Sequence, residues 1–587
     1  MKKTANLLVT AYLLLLFVAY PFYMKEGYVE IGRAKYSFWI RISLSTAAVL
    51  LLFFVIRLIR ELKEKSLQLQ ATDISILVFA GTLLLTLVLA VDRKEALFGT
   101  EGWNMGFALY SVLCLLYLMI RLLWKPDKWI IYLALLASGG IYLLGILDRF
   151  SLYLIPLEIR NPGFLSTLGN INWFTGYLVI FTAVSASLFL LSEEKGMMVF
   201  SAVITLLGFA AGFSQGSSSV FLFFAGLFLA LFWLASYGPG RVLRLMILWT
   251  IWCGSAQLIR LMRILVPDGY QYDTENLCGY FTGGNLSVYL LVTGGLFLGA
   301  FWILLKYKEQ TGRWARRVLL ILGGLLVTFL AVMMLYSYFC VSKGMELSEL
   351  YDRLPWGDDT WGNGRGMTYR AAMMILAQMT PLQRLLGVGQ DCFSAYAYSI
   401  PQVADELWQY FGNERLTNAH SEILTMLVNH GIVGTVSYLS IFITYLYKTG
   451  KQSKNPYSIS IAVAVICYLV HNMVSFANVL NLPFLIILLA MGVKWCNIMM
   501  PKKNKRLRSR MRSAEHGFVS QTVKEKQAAA KQTFVFQASL ANEYPAKQDE
   551  ECGARIREPD SQRKTSGCEA DICFSGIISE RISCEAG

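Results

Sequence analysis

The sequence predicts an all-α, polytopic integral membrane protein. Three observations carry this. Of 587 residues, 55% are hydrophobic and only 16% charged, against about 25% charged in soluble globular chains. The mean hydropathy is +0.49. Apolar windows of about 20 residues, the length that crosses a bilayer as a helix, recur through most of the chain. The same composition excludes a string of soluble domains, a disordered chain, a collagen-like chain and a secreted disulfide scaffold. The net charge of +14 raises the question of a nucleic-acid partner, which the placement of the charges answers.

About fourteen windows qualify: 5–24, 38–58, 73–91, 106–123, 129–147, 173–192, 196–213, 218–237, 243–263, 285–305, 317–339, 423–447, 457–476 and 480–499. The first follows Met-Lys-Lys and has the outline of a signal peptide. Pro21 and Tyr23 stand where cleavage would need small residues, so the window is read as a retained helix.

Orientation follows from Lys and Arg in short loops. The segments RLIRELKEK (57–65), RLLWKPDK (121–128), KYKEQTGRWARR (306–317), YKTGKQSK (447–454) and KKNKRLRSR (502–510) all follow even-numbered windows. The loops KEGYVEIGRAK (25–35), DRKEALFGTEG (92–102) and VPDGYQYDTENLCGY (266–280) follow odd-numbered ones and balance base with acid or lack base. Both termini are therefore expected in the cytoplasm. The basic surplus is mostly a topology signal, and no nucleic acid is needed to explain it.

Four segments result: an N-terminal bundle of about eleven helices (1–339), a large extracytoplasmic loop (340–420), C-terminal membrane helices (421–500) and a polar tail (501–587). Residues 367–379 (MTYRAAMMILAQM) are good helix formers between Gly366 and Pro381, so a short helix is expected there, its methionines against the membrane or other helices. Residues 402–411 (QVADELWQYF) predict a second one. The tail is mixed in charge and without periodicity, as in a disordered cytoplasmic extension. Its first ten residues carry six Lys or Arg, which suits a stop-transfer anchor or a contact with anionic lipid. The eleven cysteines show no zinc spacing. Cys278 and Cys392 are both placed outside the membrane, where a disulfide is open to them. Four histidines without H-E-x-x-H argue against a metal hydrolase.

The large loop holds nine acids against six bases, so a basic residue there is not part of the orientation bias. Arg365 lies in N-G-R-G-M-T-Y-R, four residues before Tyr369, and the two share a helix face. A guanidinium offers a planar fork of donors that fits phosphate oxygens. An ion pair with Asp358 or Asp359 fits the spacing as well, and both readings stay open. Farther on, Asn418 is a plausible N-cap that puts His420 in the first turn of the next helix. That position disfavours imidazolium and favours an anion nearby. A neutral imidazole beside an anion site suits attack on a phosphate-activated substrate. A surface histidine with a local hydrogen bond suits the same position. His430, before Gly431, stands where N-H-G-I-V-G is expected to break the helix. His471, in a span beside Asn472, is most simply an interhelical hydrogen bond. His516 is in the tail and has no assigned role. L-G-N-I-N-W-F (168–174) and S-Q-G-S-S-S (214–219) place amides and hydroxyls at helix ends, as a sugar or pyrophosphate site or as simple turns.

In this order the motifs resemble the O-antigen ligase and O-antigen polymerase superfamily. G-N-I-N (169–172) is similar to the family's G-N-x-N, and S-Q-G-S (214–217) to its S-R-G-[AS]. G-R-G-M-T-Y-R with P-L-Q-R-L-L-G-V-G-Q-D-C-F (364–393) is similar to its R-x-x-x-[WY], P-x-x-G-x-G-x-x-x-F core. N-A-H-S-E-I-L…G-I-V-G (418–434) is similar to its H-[NS]-x-x-L…G-[IL]-x-G ending. The similarity runs over about 165–450, and the last two motifs are the specific ones. It implies a glycosyltransferase that passes a saccharide from polyprenyl pyrophosphate to an acceptor hydroxyl outside the membrane, with no metal ion or nucleotide sugar. By position, His420 would be the general base, and Arg365 would bind the donor pyrophosphate and steady the leaving group. Tyr369, Arg370, Arg384, Asn170, Asn172 and Gln215 would line the substrate. Gln215 replaces the arginine of S-R-G and brings no charge, so Arg370, Arg384 or Arg160 would have to compensate. The alternative is a transporter or flippase of lipid-linked saccharide, which predicts charges inside spans and inverted repeats of broken helices. A sensor with a cytoplasmic output ranks last, since the tail carries no recognisable output motif.

Overall fold

The computed structural model of the chain describes residues 1–157, 159–270, 275–308, 310–342 and 359–496. The expected tail lies outside the described residues, as does the first part of the long loop with Asp358.

The chain is an all-α polytopic membrane protein. Ten helices are long and apolar enough to cross a membrane. They are α1 (Lys2–Phe22), α2 (Ile31–Lys63), α3 (Ala71–Val88), α6 (Trp129–Arg149), α7 (Ile171–Leu191), α8 (Lys195–Ser214), α10 (Pro239–Leu265), α12 (Leu286–Tyr307), α13 (Gln310–Ser342) and α18 (Glu422–Gln452). The other four windows of the fourteen are apolar helices too short to meet that length: α5 (Phe107–Leu123), α9 (Val220–Ala235), α19 (Pro456–His471) and α20 (Leu482–Cys496). Short helices fill the connections: α4 (Arg93–Phe98), α11 (Leu277–Gly283), α14 (Trp361–Gln378), α15 (Pro381–Leu386), α16 (Phe393–Ala397) and α17 (Pro401–Phe411). The strands β1 (Phe164–Leu165) and β2 (Gly169–Asn170) pair antiparallel ahead of α7.

Helix α7 is apolar all round, with Gly, Ala, Ser and Thr between its large residues. A helix of that kind belongs at the centre of a bundle, where small side chains let neighbours approach. It is 94% buried over its apolar window, whereas the still more apolar window of α13 is 0% buried and faces outward. The C-terminal helices are built into this centre: α19 lies along α7 and α18 along α3.

The loops sort to two ends by parity. At one end the Lys125 N–H donates to Asn6 Oδ1 (2.6 Å), Lys128 pairs with Glu194 (2.7 Å), and Arg316 donates to the Ser236 carbonyl (3.1 Å). At the other, Tyr28 Oη donates to the Ser166 carbonyl (3.0 Å), Val91 N–H to the Val388 carbonyl (2.8 Å), and Thr100 N–H to Asp391 Oδ2 (2.7 Å). All the loops that follow odd-numbered windows and carry candidate residues meet at this second end.

The long loop folds on itself. Helices α14 and α17 form where helix was expected. The methionines of α14 turn inward: Met367, Met373 and Met379 pack with Phe393, Leu407 and Val428 in a small core of their own. Two expectations are corrected. The spans expected at 457–476 and 480–499 do not nearly abut. Helix α19 ends at His471 and α20 starts at Leu482, leaving a mostly buried, irregular turn. Its backbone is satisfied by amides, since Asn481 Oδ1 accepts from Asn478 N–H (2.8 Å) and Asn478 Oδ1 from Leu480 N–H (2.8 Å). Irregular backbone that is buried survives only when other groups satisfy it. Cys278 and Cys392 are both free and buried. Cys278 contacts the Gly212 carbonyl and Cys392 the Asp92 carbonyl, so they sit in different packing environments and form no bridge.

Candidate functional site

The buried turn after α19 organises the site. From α14, Arg365 Nε donates to the Val474 carbonyl (2.8 Å) and Tyr369 Oη to the Met473 carbonyl (2.8 Å). Thr368 Oγ1, on the same face, donates to the Ala419 carbonyl (3.0 Å), next to His420. Positions i, i+3 and i+4 thus hold the His420 loop and the 473–474 backbone together. Arg365 is set by the turn before it. Gly362, Asn363 and Gly364 all have positive φ (61°, 63° and 85°), a path that glycine follows without steric cost. The turn brings the Gly362 carbonyl onto Arg365 Nη1.

No carboxylate among the described residues pairs with Arg365. Asp359 goes instead to Arg370 (2.8 Å), which also meets Glu406 (3.2 Å). Burial lowers the Arg365 pKa, opposed by Tyr369. Arg365 thus has its charge unpaired among the described residues, while Arg370 is already paired with two carboxylates. Arg384 donates to the Leu376 (3.1 Å) and Ala377 (2.7 Å) carbonyls. It caps the end of α14, away from the turn at 473–476.

His420 does not lie in the first turn of α18, as expected. Asn418 Oδ1 accepts from the His420 N–H (2.9 Å), a side-chain turn reaching two residues on. His420 takes a left-handed φ of 48°, and the helix starts only after Ser421. The imidazole stands edge-on to Phe476 (5.4 Å between ring centres), and its buried Nδ1 has no hydrogen-bond partner. Its pKa is lowered to about 4, first by burial and then by the charge of Arg365, against a smaller opposing effect from the Asn418 backbone. The neutrality expected from a helix terminus is therefore present, but its causes are burial and a neighbouring cation.

Behind His420 lies a polar network that sequence reasoning missed. Glu422 is buried. It accepts from Tyr468 Oη (3.0 Å), from Tyr438 Oη and from Asn472 Nδ2, and its backbone N–H donates to the Asn472 carbonyl (2.9 Å). Asn472 Oδ1 meets His471 Nδ1 (3.0 Å), and His471 Nε2 meets Ser219 Oγ (3.3 Å). Ser219 continues to Ser217 (2.8 Å). His471 thus makes the interhelical hydrogen bond expected of it, and the chain of contacts joins the 214–219 turn to the start of α18. An acid in the first turn of a helix usually reads as a dipole partner, which hides this role.

The first two motifs serve local structure. Asn170 caps α7, accepting from the Asn172 N–H (2.8 Å). Gln215 is fully buried. Its Nε2 donates to the Ser217 carbonyl (2.6 Å), and its Oε1 accepts from Ser217 N–H (2.7 Å) and Thr175 (3.1 Å). It braces the turn and is not turned toward a ligand. The arginine found there is Arg149, at the end of α6, donating to the Ser214 (3.0 Å) and Gln215 (2.6 Å) carbonyls. Arg160 lies over the Tyr153 ring (3.4 Å).

His430 is buried inside the bundle against Tyr110 (5.6 Å) and Phe79 (6.0 Å). The break expected after it is present, with Gly431 at φ 63° and ψ −171°. The break frees carbonyls of Val428 and Asn429, which accept from Val388 (3.0 Å) and Gly389 (3.1 Å) N–H. A Cβ on Gly387 would lie 2.2 Å from the Asn429 oxygen, so the P-L-Q-R-L-L-G-V-G segment docks there only through glycine. Asp391 straps this segment to the 99–105 loop, accepting from Thr100 (2.7 Å) and Met105 (3.0 Å) N–H. Burial pushes its pKa up to about 7, against those two bonds. Among the described residues, no three His, Cys, Asp or Glu side chains converge as a metal site would require.

Residues 277–439 match the family model described as O-antigen ligase. The match takes in Arg365, Tyr369, Arg370, Arg384 and His420, and ends before the turn at 471–477. It bears out the resemblance carried by the last two motifs. The first two, at 169–172 and 214–217, lie outside it. No curated protein matches the chain.

Proposed function

We propose that this chain, whose residues 277–439 match the O-antigen ligase model, is a membrane glycosyltransferase that moves a saccharide from polyprenyl pyrophosphate to an acceptor hydroxyl. The observation that carries this is the pairing of Arg365 with His420. A guanidinium with no carboxylate partner among the described residues acts electrostatically on a buried imidazole whose Nδ1 is unpaired, and both stand at one buried turn.

The chemistry follows from these two groups. The acceptor hydroxyl gives its proton to the His420 imidazole as its oxygen bonds to the anomeric carbon. The bond from that carbon to the pyrophosphate oxygen breaks, and the electron pair leaves with the pyrophosphate. Arg365 meets the charge that grows there with donors already in place. Tyr369 holds the arginine helix on the turn and Thr368 holds it on the His420 loop, and the Glu422–Asn472 contacts keep that turn fixed. The site faces the extracytoplasmic side, both termini are cytoplasmic, and the protein works in the cell membrane in surface polysaccharide synthesis. The basic loops gathered at the opposite end support that orientation.

His420→Ala and Arg365→Ala are expected to abolish transfer while the protein remains in the membrane. Full transfer by both variants would refute the assignment. Cells lacking the protein separate two outcomes of the same chemistry. Single repeats on the acceptor mark a polymerase, and long chains left on the lipid carrier mark a ligase.

A further inference from the structure

An open groove runs beside the site, on the same end of the bundle. It is built by three loops outside the matched segment, and Tyr28, Arg33, Glu101, Trp103, Asn170 and Trp173 line it. Its volume of about 400 Å³ lies in the range of about 300–1,000 Å³ typical of ligand clefts. We infer that this groove binds the acceptor as a saccharide and feeds its terminal hydroxyl to His420. The inference rests on the transferase reading above and adds a substrate site to it.

Two features select a saccharide. Indole and phenol rings offer negative faces to polarised C–H groups, and sugar rings present such groups on one face and hydroxyls at the edge. Polar groups for those hydroxyls stand at the rim. Arg33 is held between Glu30 (3.4 Å) and Glu101 (3.4 Å) with all three side chains well exposed. Asn170 spends its Oδ1 on the α7 cap, and the residue lines the groove. The rim carries two acids against one base, the opposite of an anion site.

The order of groups selects the acceptor over the donor. Along the turn after α19, Arg365 binds at Val474. His420 stands against one side of Phe476 (5.4 Å), Trp103 packs on Phe476 (5.0 Å), and Trp173 packs on Trp103 (5.5 Å). The sequence in space is anion ligand, base, aromatic step, groove. A displacement needs nucleophile and leaving group on opposite sides of the reacting carbon. With pyrophosphate at Arg365, the acceptor arrives from the Trp103 side.

The test uses the full-length protein in lipid nanodiscs. One probe is the unextended surface glycan of cells lacking the protein, released by mild acid and labelled at its reducing end. The other is inorganic pyrophosphate. Trp103→Ala is expected to weaken glycan binding by about tenfold or more, the loss typical of an aromatic anchor, and to leave pyrophosphate binding unchanged. The double variant Arg33→Ala/Glu101→Ala changes only exposed rim groups, guards against a folding defect, and should act in the same direction. Arg365→Ala should do the reverse. Wild-type glycan affinity in both groove variants, with transfer intact in the parent protein, would overturn the groove while the transferase reading stood. Groove-dependent glycan binding by a parent protein that forms no glycosidic bond would overturn the acceptor role together with that reading.

Discussion

Replacing Arg365 by alanine removes a cation that has no carboxylate to balance it among the described residues. Among the described residues its anchors are the Val474 and Gly362 carbonyls. The change should therefore cost little in folding, and its effect should fall on the reaction. A unit charge about 4 Å from a developing negative charge contributes about 4 kcal/mol at an effective dielectric constant of about 20. At about 1.36 kcal/mol per decade, that is about a 10³-fold loss in rate. Removing a single preorganised donor from an oxyanion site costs about 10²–10³ in turnover, so the two figures agree. Arg365→Lys should recover part of this loss. An ammonium supplies the charge but cannot span Val474 and Gly362 while still reaching an anion. The assay is transfer of saccharide from lipid-linked donor by protein in proteoliposomes, with protein amount and melting temperature measured alongside. A Arg365→Ala protein that melts like the parent and transfers within about threefold of it, far inside the predicted loss, would refute the assignment. So would a lysine variant less active than the alanine one.

Three further outcomes follow from the geometry. The folded-state pKa of His420 is lowered to about 4, so the neutral base is present above that pH and lost as pH falls through it. The acid limb of kcat/KM should lie near 4, and in Arg365→Ala it should move upward but stay below about 6.5, because burial, the larger cause, remains; a parent limb already near 6.5 would contradict the environment described. Glu422→Ala strands the Tyr438, Tyr468 and Asn472 donors at about 1–3 kcal/mol each, so it should lower the melting temperature and transfer together, and an unchanged melt would show that the network is not structural. Gly387→Ala forces a Cβ to 2.2 Å from the Asn429 oxygen at a φ of 84° and should destabilise by about 2–5 kcal/mol through overpacking and strain, read as loss of folded protein in a detergent melt.

The sequence alone determined the class of this protein. Apolar windows and the parity of basic loops are local properties, because lipid demands about 20 apolar residues in a row whatever the rest of the chain does. The specific motifs of the long loop were legible for the same reason: Gly362, Gly364, Gly387 and Gly431 mark sharp local backbone requirements. The arrangement of the site was not legible. The turn between α19 and α20 looked like continuing membrane helix, since only three asparagines distinguish it. His420 was expected in the first turn of a helix, with neutrality from the helix terminus, yet its neutrality comes from burial and from Arg365, 55 residues earlier in the chain. Gln215 read as a weakened arginine, and the structure uses it as a brace while Arg149 arrives from another helix. Tertiary structure alone decided which arginine lacks a carboxylate, which histidine faces it, and that Trp103 leads from that pair into a groove. Those are distances between segments far apart in sequence, set by how the helices pack, and no local pattern records them.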